Sequence, residues 1–321
     1  MECDKMPLRF GIQIGNYFGF DYDTIKEIAL TAEKIGYDAL WISDHFFIDK
    51  NPETTSCLEA WTVLSALASI TKKLRLGTLV TCNGFRYPPV LAKIAATVDV
   101  ISNGRVEFGI GAGWKKNEHV NYGIPFPSLK ERMDRLEESV QIIKKLWTEP
   151  SVSFDGVYYQ IKDAFSYPKP VQQLPPIFVA GRGEKRTLRI VAKYADYCNF
   201  LSSVTPEEAE RLLGILKAHC RAVGRDYDEI GKSYFAYVIM EETEDDLNQL
   251  VEQMAEKRAI SLDELKGRLP KNVFLGTPDV IESHFHKLIT LGFDYFQIQF
   301  PYRDDLEQSK LFAKTMFSKL R

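Results

Sequence analysis

Four short stretches of this chain carry side chains whose types and spacing can do chemistry. In WISDHFF, residues 41–47, Asp44 and His45 follow directly on an apolar run. An imidazole titrates near neutrality and a neighbouring carboxylate can fix its tautomer, so this pair can move a proton at a bound ring or substrate. The same spacing also suits Asp44 capping a turn with His45 stacked in a loop. In GIGAGW, residues 109–114, three glycines alternate. A dinucleotide fingerprint needs such glycines to make a turn and open a helix, whereas the first two here fall inside a strand pattern and the polar, Pro-broken KKNEHVNYGIPFP follows. The dinucleotide reading fails in that context. Gly111 and Gly113 are expected instead to leave backbone space for a flat ring system, while Gly109 suits interior packing equally well.

In GRGEKR, residues 181–186, a glycine turn leads from a strand into a helix. Gly181, Arg182, Gly183 and Glu184 would present backbone N–H groups and the positive helix end to a phosphate, with Arg182 and Arg186 adding charge-assisted hydrogen bonds. An ordinary βα turn fits the same residues. In NEHVNYG, residues 117–123, Glu118, His119 and Tyr122 can reach a cofactor phosphate or a substrate, and His119 shares a face with Tyr122 if the segment is helical. A polar surface loop is the alternative. His119, His219, His284 and His286 show no HExxH arrangement, so no metal site is expected.

The elements that must position these groups alternate regularly. Strand-like runs fall at 8–15, 38–43, 75–81, 105–112, 176–181, 196–202, 232–240 and 294–300, with helical periodicity at 23–35, 58–71, 89–102, 129–148, 184–195, 206–223, 243–257, 278–291 and 304–320. The run 131–147 is an amphipathic helix with no assigned chemistry. Eight βα units without a Pro/Gly/Ser-rich linker point to an α/β fold, a (β/α)8 TIM barrel formed by residues 1–321 as a single domain. Two segments exceed its needs: 149–175, with a hairpin-like SFDGVYYQI before strand five, and 258–276 after helix seven. Both are expected to act as lids. Functional groups of a barrel gather at the carboxyl ends of its strands, which here deliver Asn16 and Tyr17, Asp44 and His45, then Thr81, Cys82 and Asn83, then Gly111 to Trp114, and Gly181 to Glu184.

A formal net charge of −3 supplies no basic field for nucleic acid. The N-terminus lacks an apolar leader core and no apolar run approaches membrane-spanning length, so a soluble cytoplasmic protein is expected. Five cysteines (Cys3, Cys57, Cys82, Cys198, Cys220), odd in number and without CxxC spacing, read as reduced thiols.

Taken in order, DALWISDHFF, LRLGTLVTCNGFRYPPVLAKIAATVDVISNGRVEFGIGAGW, EHVNYGIPFPSLKERMDRLEESVQIIKKLW, PPIFVAGRGEKRTLRIVAKYAD and GTPDVIESHFHKLITLGFDYFQIQF resemble the luciferase-like monooxygenase superfamily, and more narrowly its coenzyme F420-dependent oxidoreductases. The resemblance covers nearly the whole chain. It implies a barrel mouth holding F420 or FMN, the ring against strand three, where Leu79 and Val80 flank a non-prolyl cis peptide, and the phosphate beside the turn after strand five. It implies that Asp44 and His45 sit near the redox-active edge, with His45 as acid/base or ring-positioning group and Asp44 as its orienting partner or a cofactor contact. Cys82, Asn83, His119 and Tyr122 are the further cofactor contacts expected. The F420-dependent sugar-phosphate dehydrogenases of the family carry Glu where this chain has Trp114, a departure that bears on both proton transfer and substrate. Phe46 and Trp114 suggest an apolar, ring-tolerant substrate pocket. A homodimer and a small-molecule substrate are expected by resemblance, and F420 over FMN. An FMN monooxygenase served by a separate flavin reductase is the rival reading, and a non-catalytic flavin-binding barrel the other.

Overall fold

The computed structural model describes residues 7–47, 52–257, 259–269, 272–300 and 305–321; Cys3 and the first six residues lie outside them. Among the described residues twelve strands occur: β1 Arg9–Ile14, β2 Ala39–Ile42, β3 Arg75–Thr78, β4 Thr81–Cys82, β5 Val106–Gly111, β6 Val152–Asp155, β7 Gln160–Ala164, β8 Ile177–Ala180, β9 Tyr197–Phe200, β10 Gly231–Met240, β11 Phe274–Gly276 and β12 Tyr295–Gln299. Parallel pairing runs β1–β2–β3–β5–β8–β9–β10–β12 and returns to β1. This is the closed eight-stranded barrel that the alternation of elements predicts, with helices between its strands.

The helices follow their sequence signals closely. Leu129–Thr148 begins where Ser128 accepts a hydrogen bond from the Glu131 amide, and Pro206–Val223 starts under a Thr205 cap and stops at left-handed Gly224. Two short helices, Lys116–Asn121 and Leu262–Arg268, add to the nine expected. The first replaces a segment read as loop, and the second occupies the stretch after helix seven. There Leu265 packs on Leu247, Val251 and Met254 in a separate small core that also includes Ile239 of β10. The antiparallel β6–β7 pair is the hairpin expected before the fifth barrel strand.

Period-two alternation sorts the strand residues. Phe10, Ile12 and Ile14 of β1 join the large core beneath the helices, whereas Trp41, Phe178 and Tyr295 form a second cluster inside the barrel. Trp41 fills that interior so completely that a Cβ on Gly11 would lie 2.8 Å from its ring and one on Gly77 2.6 Å. The amino-terminal end of the barrel is closed by Glu107. Fully buried, its carboxylate accepts hydrogen bonds from Arg9 at 2.5 Å, Arg75 at 2.7 Å and the Tyr295 hydroxyl at 2.6 Å.

One expected strand, 75–81, is interrupted. The Leu79–Val80 peptide is cis, as the resemblance implies, and the chain resumes as β4 against β5. Gly109 answers for this approach: a Cβ there would sit 2.0 Å from the Thr78 carbonyl oxygen.

Candidate functional site

A cavity of about 400 Å³ opens at the carboxyl ends of the strands, within the size range of small-molecule sites. One wall is built by Leu79, Val80 and Cys82 with Gly111, Gly113 and Gly181, and the rim by Asp44, His45, Trp114 and His119. These ten residues, all singled out from sequence, thus meet around one space together with Tyr17, Thr81 and Glu118. A Cβ on Gly111 would press to 3.0 Å on Val80, and Gly113 holds φ at +77° with Cys82 2.6 Å from where its Cβ would stand. Bare backbone and aliphatic side chains give this wall the flatness that a fused ring needs.

The expected Asp44–His45 partnership is corrected by the geometry. Both oxygens of Asp44 are engaged by Arg86, at 2.7 and 2.9 Å, and its Oδ2 also accepts the Cys82 amide at 2.9 Å. The partner of His45 is Glu118, whose Oε2 lies 2.9 Å from Nδ1. Glu118 is itself buried, takes the Phe46 amide at 2.8 Å and has Lys115 at 3.6 Å. With its oxygens so occupied it orients His45 rather than reaching a phosphate. The imidazole is further boxed edge-on by the rings of Tyr17 at 5.1 Å and Trp114 at 5.9 Å. Its carbonyl accepts from Asn16 Nδ2 at 2.9 Å, and the same amide group donates to Leu58 O at 2.8 Å.

Burial pushes the Glu118 carboxyl up, yet the hydrogen bond and charge of His45, the Phe46 amide and Lys115 outweigh it and hold the group below its usual 4.5. Since its folded-state value lies below the unfolded one, the stability this carboxylate contributes is fully present above about pH 4.5 and disappears as the pH falls through the lowered value. Thermal midpoints of the native protein and of Glu118→Gln, followed from about pH 6 to about pH 3, should therefore converge at the acid end. A constant gap between the two curves would remove this linkage.

Several expected contacts stand elsewhere. Phe46 does not line the cavity; it stacks between Phe85 at 4.2 Å and Tyr122 at 4.5 Å. Tyr122, also outside the lining, is exposed at the end of the 116–121 helix, whereas buried His119 of that helix faces the cavity beside Cys82 at 3.8 Å. Those two residues diverge because Tyr122 is the capping residue, past the last helical position. Asn83 is buried in an adjoining recess of about 190 Å³ together with Arg86 and Arg132. In the turn after β8, only Gly181 lines the cavity. Arg182 pairs with Glu208 at 3.5 Å, Glu184 with Arg211 at 2.9 Å and Arg186 with Asp134, so these side chains brace neighbouring helices.

Sequence reasoning missed Arg86 and Glu59. The Arg86 guanidinium bridges Asp44 and Glu59, tying the loop after β2 to the one after β4. Cys82 and Cys57 are free thiols whose burial pushes both up to about 12, which leaves them protonated near neutrality. Among the described residues no helix is long and apolar enough to cross a membrane.

This chain is 41% identical over 172 residues to the F420-dependent glucose-6-phosphate dehydrogenase of Amycolatopsis mediterranei, a match spanning 53% of this chain and 50% of that protein. To the protein of the same description from Microbacterium testaceum it is 28% identical across 98% of both. Its fold superposes with a TM-score of 0.83 on an F420-dependent secondary alcohol dehydrogenase in complex with an F420-acetone adduct, covering 98% of this chain and all of the other at 22% identity. Residues 7–288 match the family described as luciferase-like monooxygenase, and the chain belongs to that family.

Proposed function

We propose that the protein is an F420-dependent oxidoreductase that interconverts a small alcohol and its carbonyl counterpart. The observation that carries this reading is the His45–Glu118 pair on the rim of a cavity walled by Leu79, Val80, Gly111 and Gly113. The wall fits a fused ring, since a Cβ at Gly111 would already crowd Val80. A relative matched across 98% of this chain is described as an F420-dependent glucose-6-phosphate dehydrogenase, which supports the deazaflavin over FMN.

F420, when bound, supplies a two-electron hydride acceptor or donor. The chain supplies the rest. Glu118 holds His45 through Nδ1, which turns Nε2 toward the substrate. That nitrogen takes the proton of a substrate hydroxyl in the oxidative direction and returns it in the reverse one. Asp44 has no spare oxygen for this exchange; with Arg86 it fixes the Cys82 amide and so the edge of the ring wall. Trp114 stands edge-on beside His45, 5.9 Å between ring centroids, and brings no acid of its own, so His45 handles the proton.

Fluorescence titration of the purified protein with F420 and with FMN tests the reading. Saturable F420 binding, with FMN at least about tenfold weaker (a difference of about 1.4 kcal/mol), is expected. Binding of FMN alone, with product formation that needs oxygen, would move the protein to the monooxygenase reading.

A further inference from the structure

Opposite the ring wall, the cavity is bounded by Gln13 and Tyr17 from β1 and the turn after it, Phe235 and Tyr237 from β10, and Gln299 from β12. None of these side chains belongs to the proton relay. Gln13 and Gln299 are each 1% exposed, and each leaves a polar atom without a hydrogen bond of normal length: Oε1 of Gln13, and Nε2 of Gln299, whose polar neighbour is the Tyr17 hydroxyl, to which it makes only a long contact. Unsatisfied buried amide atoms cost a protein stability, so they call for a function.

The orientation of Gln13 is fixed by its partners. Its amide nitrogen donates to the Ile14 carbonyl at 3.2 Å and lies 2.8 Å from the Ser43 hydroxyl. A carbonyl can only accept, so the nitrogen must be on that side and Oε1 must face the cavity. β1 and β12 are parallel neighbours with Arg9 beside Tyr295 and Gly11 beside Gln297. One inward step further along the same register places Gln13 beside Gln299. The two strands thus present one acceptor and one donor side by side.

The surrounding wall is neutral. Burial, and then the neighbouring Tyr237 phenol, push Tyr17 well above the ordinary phenol range against a smaller lowering by the Gln299 amide, and burial raises Tyr237 as well. Both stay protonated near pH 7. Phe235 adds only apolar surface.

We propose that Gln13 and Gln299 form a specificity subsite for an uncharged hydroxyl group of the substrate, the hydroxyl donating to Gln13 Oε1 and accepting from Gln299 Nε2. A hydroxyl is the small group that satisfies both atoms at once. An anion such as phosphate would satisfy Gln299 and repel the Gln13 oxygen. The half of the substrate inserted in the barrel is therefore a neutral, hydroxylated carbon fragment, and any charged group it carries stays at the mouth. The assignment to substrate rather than cofactor rests on the reading under Proposed function, which puts the ring on the other wall.

Nuclear magnetic resonance of protein labelled with ¹⁵N-glutamine decides it. The side-chain amide signals of Gln13 and Gln299, assigned through Gln13→Met and Gln299→Met, are followed while glucose, 2-propanol or inorganic phosphate is added, with F420 present and again without it. Saturable shifts of both signals with glucose or 2-propanol, and none with phosphate, are expected. Signals unmoved by either alcohol, or moved by phosphate, would overturn the subsite. In parallel, F420 affinity of the two variants should stay within about twofold of the native protein; a tenfold loss would make these residues cofactor ligands. Failure of the native protein to bind F420 would instead remove the proposed function, while the amide shifts without F420 still judge the subsite.

Discussion

His45→Ala is expected to lower turnover by about 10²- to 10⁴-fold, the usual contribution of a positioned acid or base, while F420 affinity changes by less than about threefold, well under the 1.4 kcal/mol of a tenfold step. The two parameters separate because the imidazole stands on the rim, held by Glu118 from behind, and the ring wall is made by other residues. Glu118→Gln keeps the shape of that support and loses its charge. Its turnover should fall less than that of His45→Ala, since the amide can still hold the imidazole at Nδ1 but without the charge-assisted hydrogen bond. Steady-state reduction of F420 by the two variants and the native protein reads both. Turnover of His45→Ala equal to that of the native protein would remove His45 from the chemistry.

Glu107→Ala should cost about 3 kcal/mol of unfolding free energy, the lower end of what removing one partner of a buried ion pair costs. The carboxylate is fully buried, and two guanidinium groups and a phenol converge on it. Without it, Arg9 and Arg75 face one another across the barrel floor with no anion between them. Both arginine side chains are about a quarter exposed, so water relieves part of the cost, which is why the lower end is chosen. Denaturant unfolding measures it. A loss below about 1 kcal/mol, the level of an exposed ion pair, would show that the floor is wetter than its geometry.

The barrel was legible because its strands are written twice, once as β-branched and aromatic runs and once as the turns between them. Seven of the eight barrel strands fall within the spans read from periodicity, and β10 starts one residue ahead of its span, at Gly231. The helix at 116–121 escaped because the residues it buries are Glu118 and His119, and a helix whose inward face is polar leaves no apolar period to detect. His45 could be found from its place after a strand, but its partner could not. Glu118 lies 73 residues away, while Asp44 is adjacent, and adjacency in a strand end puts two side chains on opposite faces rather than together. The Arg86 bridge was hidden for the same reason. The turn after β8 leads from a strand into a helix as its glycines suggest, but nothing local in GRGEKR shows that Arg182, Glu184 and Arg186 are claimed by Glu208, Arg211 and Asp134.

The Trp41 ring at the centre of the barrel has a consequence for how this sequence can drift. Its indole occupies the volume that side chains at positions 11 and 77 would need, and its Nε1 donates to the Tyr295 hydroxyl that also serves Glu107. Positions 11 and 41 are therefore coupled, since a larger residue at 11 needs a smaller side chain at 41, whereas at 77 the Glu107 carbonyl oxygen, 2.5 Å from where a Cβ would stand, excludes a side chain whatever occupies 41. The Trp41 ring packs in one cluster with Leu79, Val80 and Phe235, which line the cavity, so the floor of the mouth rests directly on this indole.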